Sequence, residues 1–324
     1  MTSTDNKPLH AIVLAAGKGT RMKSSRAKVL HPVLFSPMIC HVMDTLSDLE
    51  AGVVVVTGHQ AAEVEAALAL YPVSFVRQAE QLGTGHAVLS TAGLLENKSG
   101  TALILCGDTP LIRSETLSLM VADHRAASRT LTVMTTILGQ PDNYGRIICN
   151  QDDELVKIVE EHDATPAERQ IKEVNAGIYC VEIPALFAAL RLVGSDNAQG
   201  EIYLTDIVEI IRRQHKIGRF ICSDPEETMG VNSRVEQEEA TGVMQRRVNQ
   251  QWMLAGVSLV GQESIFIERS SAIGIDTTIQ GPCYITGRST VGRECEIGPF
   301  CIMDNYQVAD GSRLKPFTEW YGGK

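Results

Sequence analysis

Residues 11–30 read AIVLAAGKGTRMKSSRAKVL, and this stretch decides the fold. The continuous apolar run 11–15 predicts a buried strand, which leads directly into a loop containing Gly17 and Gly19. Glycines allow positive φ angles and let consecutive backbone N–H groups approach an anion. Residues 18–28 carry five positive charges: Lys18, Arg21, Lys23, Arg26 and Lys28. A strand followed by a glycine-rich basic loop predicts a site for a phosphorylated ligand.

Two common phosphate-binding loops do not fit this stretch. A P-loop requires G-x-x-x-x-G-K-[ST], which the loop does not contain. A dinucleotide fingerprint requires a third glycine where this chain has Met22, preceded by the charged Arg21. The simplest alternative is a solvated basic turn, and the rest of the chain argues against it.

The composition is that of an acidic globular protein. The 324 residues suffice for about two domains, with 44% hydrophobic and 21% charged residues. A formal net charge of −10 argues against general nucleic-acid binding, so the basic loop is a local exception. We expect no nucleic-acid partner.

Targeting and redox signals are absent from the sequence. The first ten residues contain no apolar signal-peptide core, and no run approaches 18 apolar residues. The eight cysteines form no C-x-x-C pair. The sequence therefore predicts a cytoplasmic protein with reduced cysteines and no membrane partner.

The first 230 residues alternate between two patterns. Apolar runs at 52–57 and 101–106 predict buried strands, and helical periodicity predicts helices over 37–49, 60–70 and 114–128. This alternation predicts an α/β fold with a mostly parallel sheet. Ligands of such sheets bind at the carboxyl ends of strands, where loop 16–28 and Gly107-Asp108 both lie.

The period changes near the C-terminus. Seven aliphatic side chains follow one another every six residues: Ile267, Ile273, Ile279, Ile285, Val291, Ile297 and Met303. A strict six-residue repeat predicts a hexapeptide β-helix of about three coils. We therefore predict a first domain at 1–232, a linking helix at 233–254 and a β-helix at 255–324.

Residues 14–30 resemble the sugar-1-phosphate nucleotidyltransferase signature L-x-x-G-x-G-x-R-M followed by P-K-x-L, except that Ala27 replaces the proline. Further segments resemble the N-acetylglucosamine-1-phosphate uridyltransferases, the N-terminal half of bifunctional UDP-N-acetylglucosamine synthesis enzymes. They read QAEQLGTGHA (78–87), CGDTPL (106–111), YGRI (144–147), IVE (158–160), VNAGIY (174–179), NAQGE (197–201) and GVN (230–232). This resemblance implies a Rossmann-like nucleotidyltransferase domain followed by a short left-handed β-helix.

The resemblance also implies roles for individual residues. Arg21 is expected to hold the pyrophosphate and Lys28 the α-phosphate, while Asp108 and Asn232 bind Mg²⁺. Without the resemblance, Asp108 would be read as a turn residue and Asn232 as a helix N-cap. The other implied contacts are Gln78, Gly83 and Thr84 for the uracil, Gly145, Glu160 and Asn175 for the sugar, and Leu14, Ala15, Ala16, Gly17, Cys106 and Gly107 along the nucleotide. The side chains of His86 and Cys106 are expected to be structural.

The implied reaction converts UTP and N-acetylglucosamine 1-phosphate to UDP-N-acetylglucosamine and pyrophosphate. Because the chain carries only about three coils, we expect no acetyltransferase activity. The family's β-helix forms trimers, so a homotrimer is a further expectation. Two alternatives stay open: a nucleotidyltransferase for another sugar 1-phosphate or nucleotide, and a catalytically silent nucleotide-sugar-binding regulatory protein.

Overall fold

The computed structural model describes residues 7–322, which divide into two compact units. The first unit runs to His31 and resumes over Pro37–Arg234, and the second contains Pro32–Ser36 and the chain from Val235 onward. These units group the long helix after residue 233 with the C-terminal strands. The three-part division stated above stays a prediction.

The first unit is built on a nine-stranded sheet. Its main path has the order β11-β7-β10-β6-β1-β4-β5, with β8 and β9 attached through β10. Strands β6, β1, β4 and β5 run parallel, whereas β10 runs antiparallel to both β6 and β7. The prediction of a mostly parallel sheet is confirmed. The strands of this sheet are β1 (Leu9–Ala15), β4 (Gly52–Thr57), β5 (Val73–Arg77), β6 (Thr101–Cys106), β7 (Leu131–Ile137), β8 (Arg146–Cys149), β9 (Leu155–Val159), β10 (Glu173–Glu182) and β11 (Ile217–Ile221). The short strands β2 (Pro32–Val33) and β3 (Ser36–Pro37) form a separate pair.

The central strands are apolar throughout because both faces of the sheet are covered. Successive residues of β1 enter opposite cores, with Ile12 in one and Ala11 and Val13 in the other. All three side chains are fully buried. Burial on both faces explains why these strands appear in the sequence as continuous apolar runs.

The helices pack against these two faces or lead into the second unit. Their bounds are α1 (Met38–Ser47), α2 (Ala61–Ala67), α3 (Thr84–Leu89), α4 (Ala92–Leu95), α5 (Ser114–Ala126), α6 (Ile183–Leu190), α7 (Ile207–Arg212) and α8 (Arg234–Leu254). Within residues 7–322, none of the helices combines the length and the apolar character that crossing a membrane requires.

Register places the two chemically interesting loops side by side. Strand β1 pairs in parallel with β6, and Leu14 lies opposite Cys106 at the carboxyl ends. The N–H of Gly107 donates to the carbonyl of Leu14 at 2.9 Å, which extends the ladder by one bond. The loop after Ala15 and the turn after Cys106 therefore start at the same edge of the sheet.

The second unit stacks short parallel strands into three sheets, with the orders β12-β15-β18-β21, β13-β16-β19-β22 and β14-β17-β20. The seven side chains of the six-residue repeat are all buried. Ile267, Ile285 and Met303 pair in successive coils 18 residues apart, but Thr290 pairs with Gln307, so the next coil is one residue shorter. The strands are β12 (Ser258–Val260), β13 (Ile265–Ile267), β14 (Ala272–Ile273), β15 (Thr278–Gln280), β16 (Cys283–Thr286), β17 (Thr290–Val291), β18 (Glu296–Ile297), β19 (Cys301–Asp304), β20 (Gln307–Val308), β21 (Arg313–Leu314) and β22 (Glu319–Tyr321).

Candidate active site

A cavity of about 470 Å³ opens at the carboxyl ends of β1 and β6. Its walls contain ten of the residues that the sequence assigns to the nucleotide. These are Leu14, Ala15, Ala16, Gly17, Lys28, Gln78, Gly83, Thr84, Cys106 and Asp108. Gly107 does not line the cavity itself but packs against a residue that does. A Cβ added to Gly107 would lie 3.2 Å from Cγ1 of Val29, which is part of the wall.

Lys28 joins the two residues predicted to bind a metal. Its Nζ forms an ion pair with the Asp108 carboxylate and donates to Oδ1 of Asn232 at 3.0 Å. Asn232 reaches this point because the N–H of Val231 donates to the carbonyl of Asp108 at 2.9 Å. Two oxygen ligands from distant parts of the sequence therefore converge on one positive charge.

The glycine-rich loop owes its shape to Gly19 rather than to Gly17. Gly19 has a φ of 58°, and a Cβ there would lie 2.6 Å from Cβ of Lys28. Glycine is therefore needed for both the left-handed conformation and the close approach to Lys28. Gly17 does not use this conformational freedom, because it is not among the residues with a positive φ. A Cβ on Gly17 would meet nothing within 4 Å, so the space beside it is open to a ligand.

Ala27 already has the backbone conformation that proline would impose. Its φ is −54°, within the range of a proline ring, and it directly precedes the short 3-10 helix Lys28–Leu30. Its N–H donates to no acceptor in the described part of the chain. The replaced proline of the signature therefore does not alter the path of the chain before Lys28.

The other loop cations are open to solvent. Arg21 lies in the 3-10 turn Thr20–Met22 and is exposed, and it is outside the cavity wall. Lys18 is also exposed but does line the cavity. Neither side chain forms an ion pair with a residue in the range 7–322. Both cations are available to a polyphosphate, although the role expected for Arg21 stays a prediction.

The sugar residues predicted from the sequence form a second group. The N–H of Asn175 donates to the carbonyl of Gly145 at 2.9 Å, and a Cβ on Gly145 would lie 3.4 Å from Oε2 of Glu160. Asn175 also donates from Nδ2 to the Tyr179 hydroxyl at 2.7 Å, at the point where the ladder between β10 and β7 changes register. At this irregularity the Asn175 amide bonds within β10, since its Oδ1 accepts from the N–H of Gly177 at 2.9 Å, and the residue adjoins Gly145 through its backbone.

Glu160 is partly buried beside several other acidic groups. Burial is the main reason that its pKa is raised, and Asp206, Asp163 and Glu201 add to the effect. A hydrogen bond from the Thr205 hydroxyl at 3.0 Å acts in the opposite direction. Glu201 also lines the nucleotide cavity, so the two groups of residues adjoin.

Cys106 lies between these groups but has no nucleophilic character. Burial raises the pKa of its thiol to about 12, and the nearby Asp108 carboxylate acts in the same direction. A thiol with such a pKa stays protonated near neutral pH. This is consistent with the structural role predicted for its side chain.

Sequence reasoning did not assign five residues of the cavity wall to the ligand: Lys18, Val29, Gln81, Ala87 and Glu201. Lys18, Gln81 and Glu201 lie inside the quoted motifs, so their polarity was a usable signal. Val29 and Ala87 are apolar, and nothing in the sequence separates a cavity wall from a core position.

The donor set at Asp108 suits Mg²⁺ that is shared with phosphates. Within residues 7–322, no cluster of three or more His, Cys, Asp or Glu side chains is arranged to hold a metal. One carboxylate and one amide oxygen do converge on a cation, the Lys28 ammonium. Hard oxygen ligands in this small number fit Mg²⁺, which takes its remaining ligands from phosphates and water.

Comparison with known proteins shows which family the chain belongs to. Residues 11–173 match the model of the MobA-like NTP transferase domain, and this range contains every wall residue of the cavity except Glu201. A protein of Desulfotalea psychrophila described as bifunctional protein GlmU is 44% identical over 313 residues, or 96% of this chain and 92% of the relative. The chain belongs to the GlmU family.

Other GlmU proteins are longer than this chain. The relative from Brevibacillus brevis is 45% identical, covering 94% of this chain and 66% of its own length. The relative from Syntrophotalea carbinolica is 44% identical, and the match covers 98% of this chain and 68% of the relative. Since these relatives are named bifunctional, the expectation that this chain lacks acetyltransferase activity is not confirmed.

Solved structures support the fold. A crystal structure of a UDP-glucose pyrophosphorylase complexed with UDP-glucose matches with a TM-score of 0.60 and 19% identity, covering 74% of this chain and 99% of that one. A putative glucose-1-phosphate thymidylyltransferase from Bacillus anthracis gives the same TM-score at 20% identity. The match covers 72% of this chain and 94% of that one. The nucleotidyltransferase fold predicted from the sequence is therefore confirmed.

Proposed function

We propose that this chain transfers a uridylyl group from UTP to N-acetylglucosamine 1-phosphate, giving UDP-N-acetylglucosamine and pyrophosphate. The convergence of Asp108 and Asn232 on Lys28, which lines the nucleotide cavity together with Asp108, carries this proposal. Membership of the GlmU family supports the choice of both substrates.

The nucleophile is the phosphate oxyanion of the sugar phosphate, so no protein base is required. It attacks the α-phosphorus of UTP, one new P–O bond forms, and the bond to the β-phosphate oxygen breaks to release pyrophosphate. Catalysis is then a matter of positioning and of charge stabilisation in line with the attack. Lys28 lines the cavity and would hold the α-phosphate, and the exposed Arg21 and Lys18 would hold the departing pyrophosphate.

Asp108 and Asn232 would hold Mg²⁺ in this scheme. The ion, when bound, neutralises phosphate charge and orients the phosphate oxygens. Asp108 and Asn232 orient their oxygens toward one point, and Lys28 occupies that point with its ammonium group. We infer that Lys28 leaves these oxygens and turns to the α-phosphate when the substrates bind.

The base end of the cavity has the polarity that uracil requires. The N–H of Gly83 donates to no acceptor in the described part of the chain, and Oε1 of Gln78 accepts no hydrogen bond there. A donor and an acceptor side by side match the O4 and N3–H of uracil. Cytosine presents a donor and an acceptor in the reverse order, so both contacts are lost. Unpaired polar groups of this kind discriminate strongly between similar ligands.

Three finer points belong to the same proposal. The chain acts in the cytoplasm, its β-helix assembles a homotrimer, and it lacks the acetyltransferase activity. The stacked coils of the second unit support the assembly, because they expose large apolar side chains such as Phe317 and Tyr321. Sedimentation of the purified chain tests the trimer, and acetylation of glucosamine 1-phosphate by acetyl-coenzyme A would contradict the third point.

The decisive experiment measures pyrophosphate release with Mg²⁺ over a panel of nucleoside triphosphates and sugar 1-phosphates. We expect release only with UTP and N-acetylglucosamine 1-phosphate, and release to stop in Asp108→Asn. Asp152→Asn is the matched control, because Asp152 is an exposed carboxylate far along the chain from the cavity residues. Preference for another pair would replace the assigned substrates, and no release with any pair would favour a nucleotide-sugar-binding regulatory protein.

A further inference from the structure

The side-chain amide of Gln78 has its orientation fixed by two neighbours. Gln78 is only 3% exposed, and its Nε2 lies 3.1 Å from the Gly83 carbonyl oxygen and 3.0 Å from Nδ1 of His86. A backbone carbonyl only accepts hydrogen bonds. The amide atom that faces Gly83 must therefore be the nitrogen, which leaves Oε1 on the other side.

The same argument fixes the proton on the His86 ring. Nε2 of Gln78 is a donor, so the ring nitrogen facing it must accept. Nδ1 of His86 therefore carries a lone pair, and the neutral ring carries its proton on Nε2. The Gln78 amide therefore donates one N–H to the Gly83 carbonyl and the other to Nδ1 of His86.

The turn that supplies the Gly83 carbonyl is itself held firmly. Ile202 donates to the Leu82 carbonyl and accepts from the N–H of Gly85, both at 2.8 Å. Gly83 has a φ of 109°, and a Cβ there would lie 2.5 Å from the Ile202 carbonyl oxygen. Only glycine fits this close approach, so the carbonyl that faces Gln78 has a fixed direction.

We propose that His86 is a positioning residue that sets the choice of base. By accepting from Nε2 of Gln78, its ring keeps Oε1 of Gln78 available as the acceptor for a pyrimidine N3–H. This inference rests on the proposed function and replaces the purely structural role that the sequence predicted for His86. His86 acts through Gln78 and does not touch the base.

The test compares kcat/KM for UTP with kcat/KM for CTP in three variants. His86→Leu removes the acceptor, His86→Asn keeps one because the asparagine Oδ1 lies where the histidine has Nδ1, and Ser90→Ala is the matched control. Ser90 lies just after the same helix, and within residues 7–322 its hydroxyl bonds only to the carbonyl of His86, at 2.9 Å. We expect His86→Leu to lower the UTP preference about tenfold, chiefly through the KM for UTP, as loss of one hydrogen bond predicts. His86→Asn is expected to keep most of the preference, and Ser90→Ala all of it.

A second measurement does not depend on turnover. A long-range ¹H–¹⁵N spectrum of the unaltered chain reports which ring nitrogen of His86 is protonated, and we expect Nε2. Protonation on Nδ1, or an unchanged UTP preference in a folded His86→Leu variant, would overturn the inference. If the unaltered chain turns over no substrate, the proposed function fails. Equilibrium binding of UTP and CTP to the same variants then decides the role of His86 by itself.

Discussion

Replacing Gly145 by alanine is expected to damage sugar binding selectively. The added Cβ would lie 2.9 Å from Cγ2 of Ile158, 3.4 Å from Oε2 of Glu160 and 3.7 Å from Cβ of Asn175. Carbon atoms pack best at about 3.5–4.0 Å, so the contact with Ile158 is too short by roughly 0.6 Å or more. Either the Ile158 side chain or the spacing of β8 and β9 must change by that distance, because Gly145 lies just before one strand and Ile158 within the other.

The magnitude follows from this displacement. Overpacking of a close contact costs about 1–3 kcal/mol, which for a domain of this size lowers the melting temperature by roughly 2–10 °C. A misplacement approaching 1 Å lowers turnover by up to about 100-fold. We expect kcat/KM for N-acetylglucosamine 1-phosphate to fall about 10- to 100-fold and the KM for UTP to change less than about twofold, since the nucleotide cavity is not touched.

The assay is steady-state pyrophosphate release with each substrate varied in turn. Gly139→Ala is the matched control, because a Cβ there meets nothing within 4 Å and the residue lies in the preceding turn. An unchanged KM for the sugar phosphate in Gly145→Ala would refute the placement of the sugar. An equal loss for UTP would show that the effect is general destabilisation.

Three further predictions concern Arg21, Glu160 and Ala27. Arg21→Ala is expected to lower kcat by about 10²–10³, as loss of a preorganised charge does, and near-normal turnover would remove Arg21 from the site. Glu160→Gln is expected to raise the melting temperature at neutral pH while weakening sugar binding: burial raises the pKa of Glu160 above 4.5, so its unfavourable ionisation destabilises the fold increasingly as pH rises through the folded pKa. Melting curves from about pH 4 to about pH 8 should show a difference that grows with pH, and a constant difference would contradict this. Ala27→Pro is expected to stabilise the chain by about 0.4–1 kcal/mol because Ala27 already has a proline-like φ, and a lower urea midpoint would show that the ring does not fit.

Much of the fold could be predicted because its strands are apolar on both faces. The runs 52–57 and 101–106 coincide with β4 and β6, whereas the helix predicted over 60–70 ends at Ala67. Leu70, the last residue of that prediction, is almost fully exposed, so its apolar character misled the periodicity. The antiparallel direction of β10 depends on pairing with distant strands, which periodicity does not record.

The six-residue repeat shows where local pattern stops being informative. Up to Met303 the spacing alone identifies the buried side chains, since each one occupies the equivalent place in its coil. The next buried side chain is Val308 and not residue 309, because the turn between Met303 and Gln307 is one residue shorter than its counterpart in the previous coil. A turn that loses one residue is not visible in a spacing rule.

The site itself was predictable as a set of residues but not as a network. The motifs identified Lys28, Asp108 and Asn232 through resemblance, yet Asp108 and Asn232 are brought together by the backbone hydrogen bond at Val231. The contact of Lys28 with both oxygens follows from three-dimensional convergence. The hydrogen bond between Gln78 and His86 could not be predicted either, because the sequence does not show which atom a histidine in a helix faces.

The pairing of Lys28 with Asp108 has a consequence for the history of this family. The two side chains are 17% and 13% exposed, so each partly desolvated charge relies on the other for compensation. Losing one residue leaves the other charge without its partner, which makes single losses unfavourable as well as inactivating. Descendants that have abandoned catalysis are therefore expected to have lost both residues together. A family member that keeps both residues is therefore expected to have a working active site.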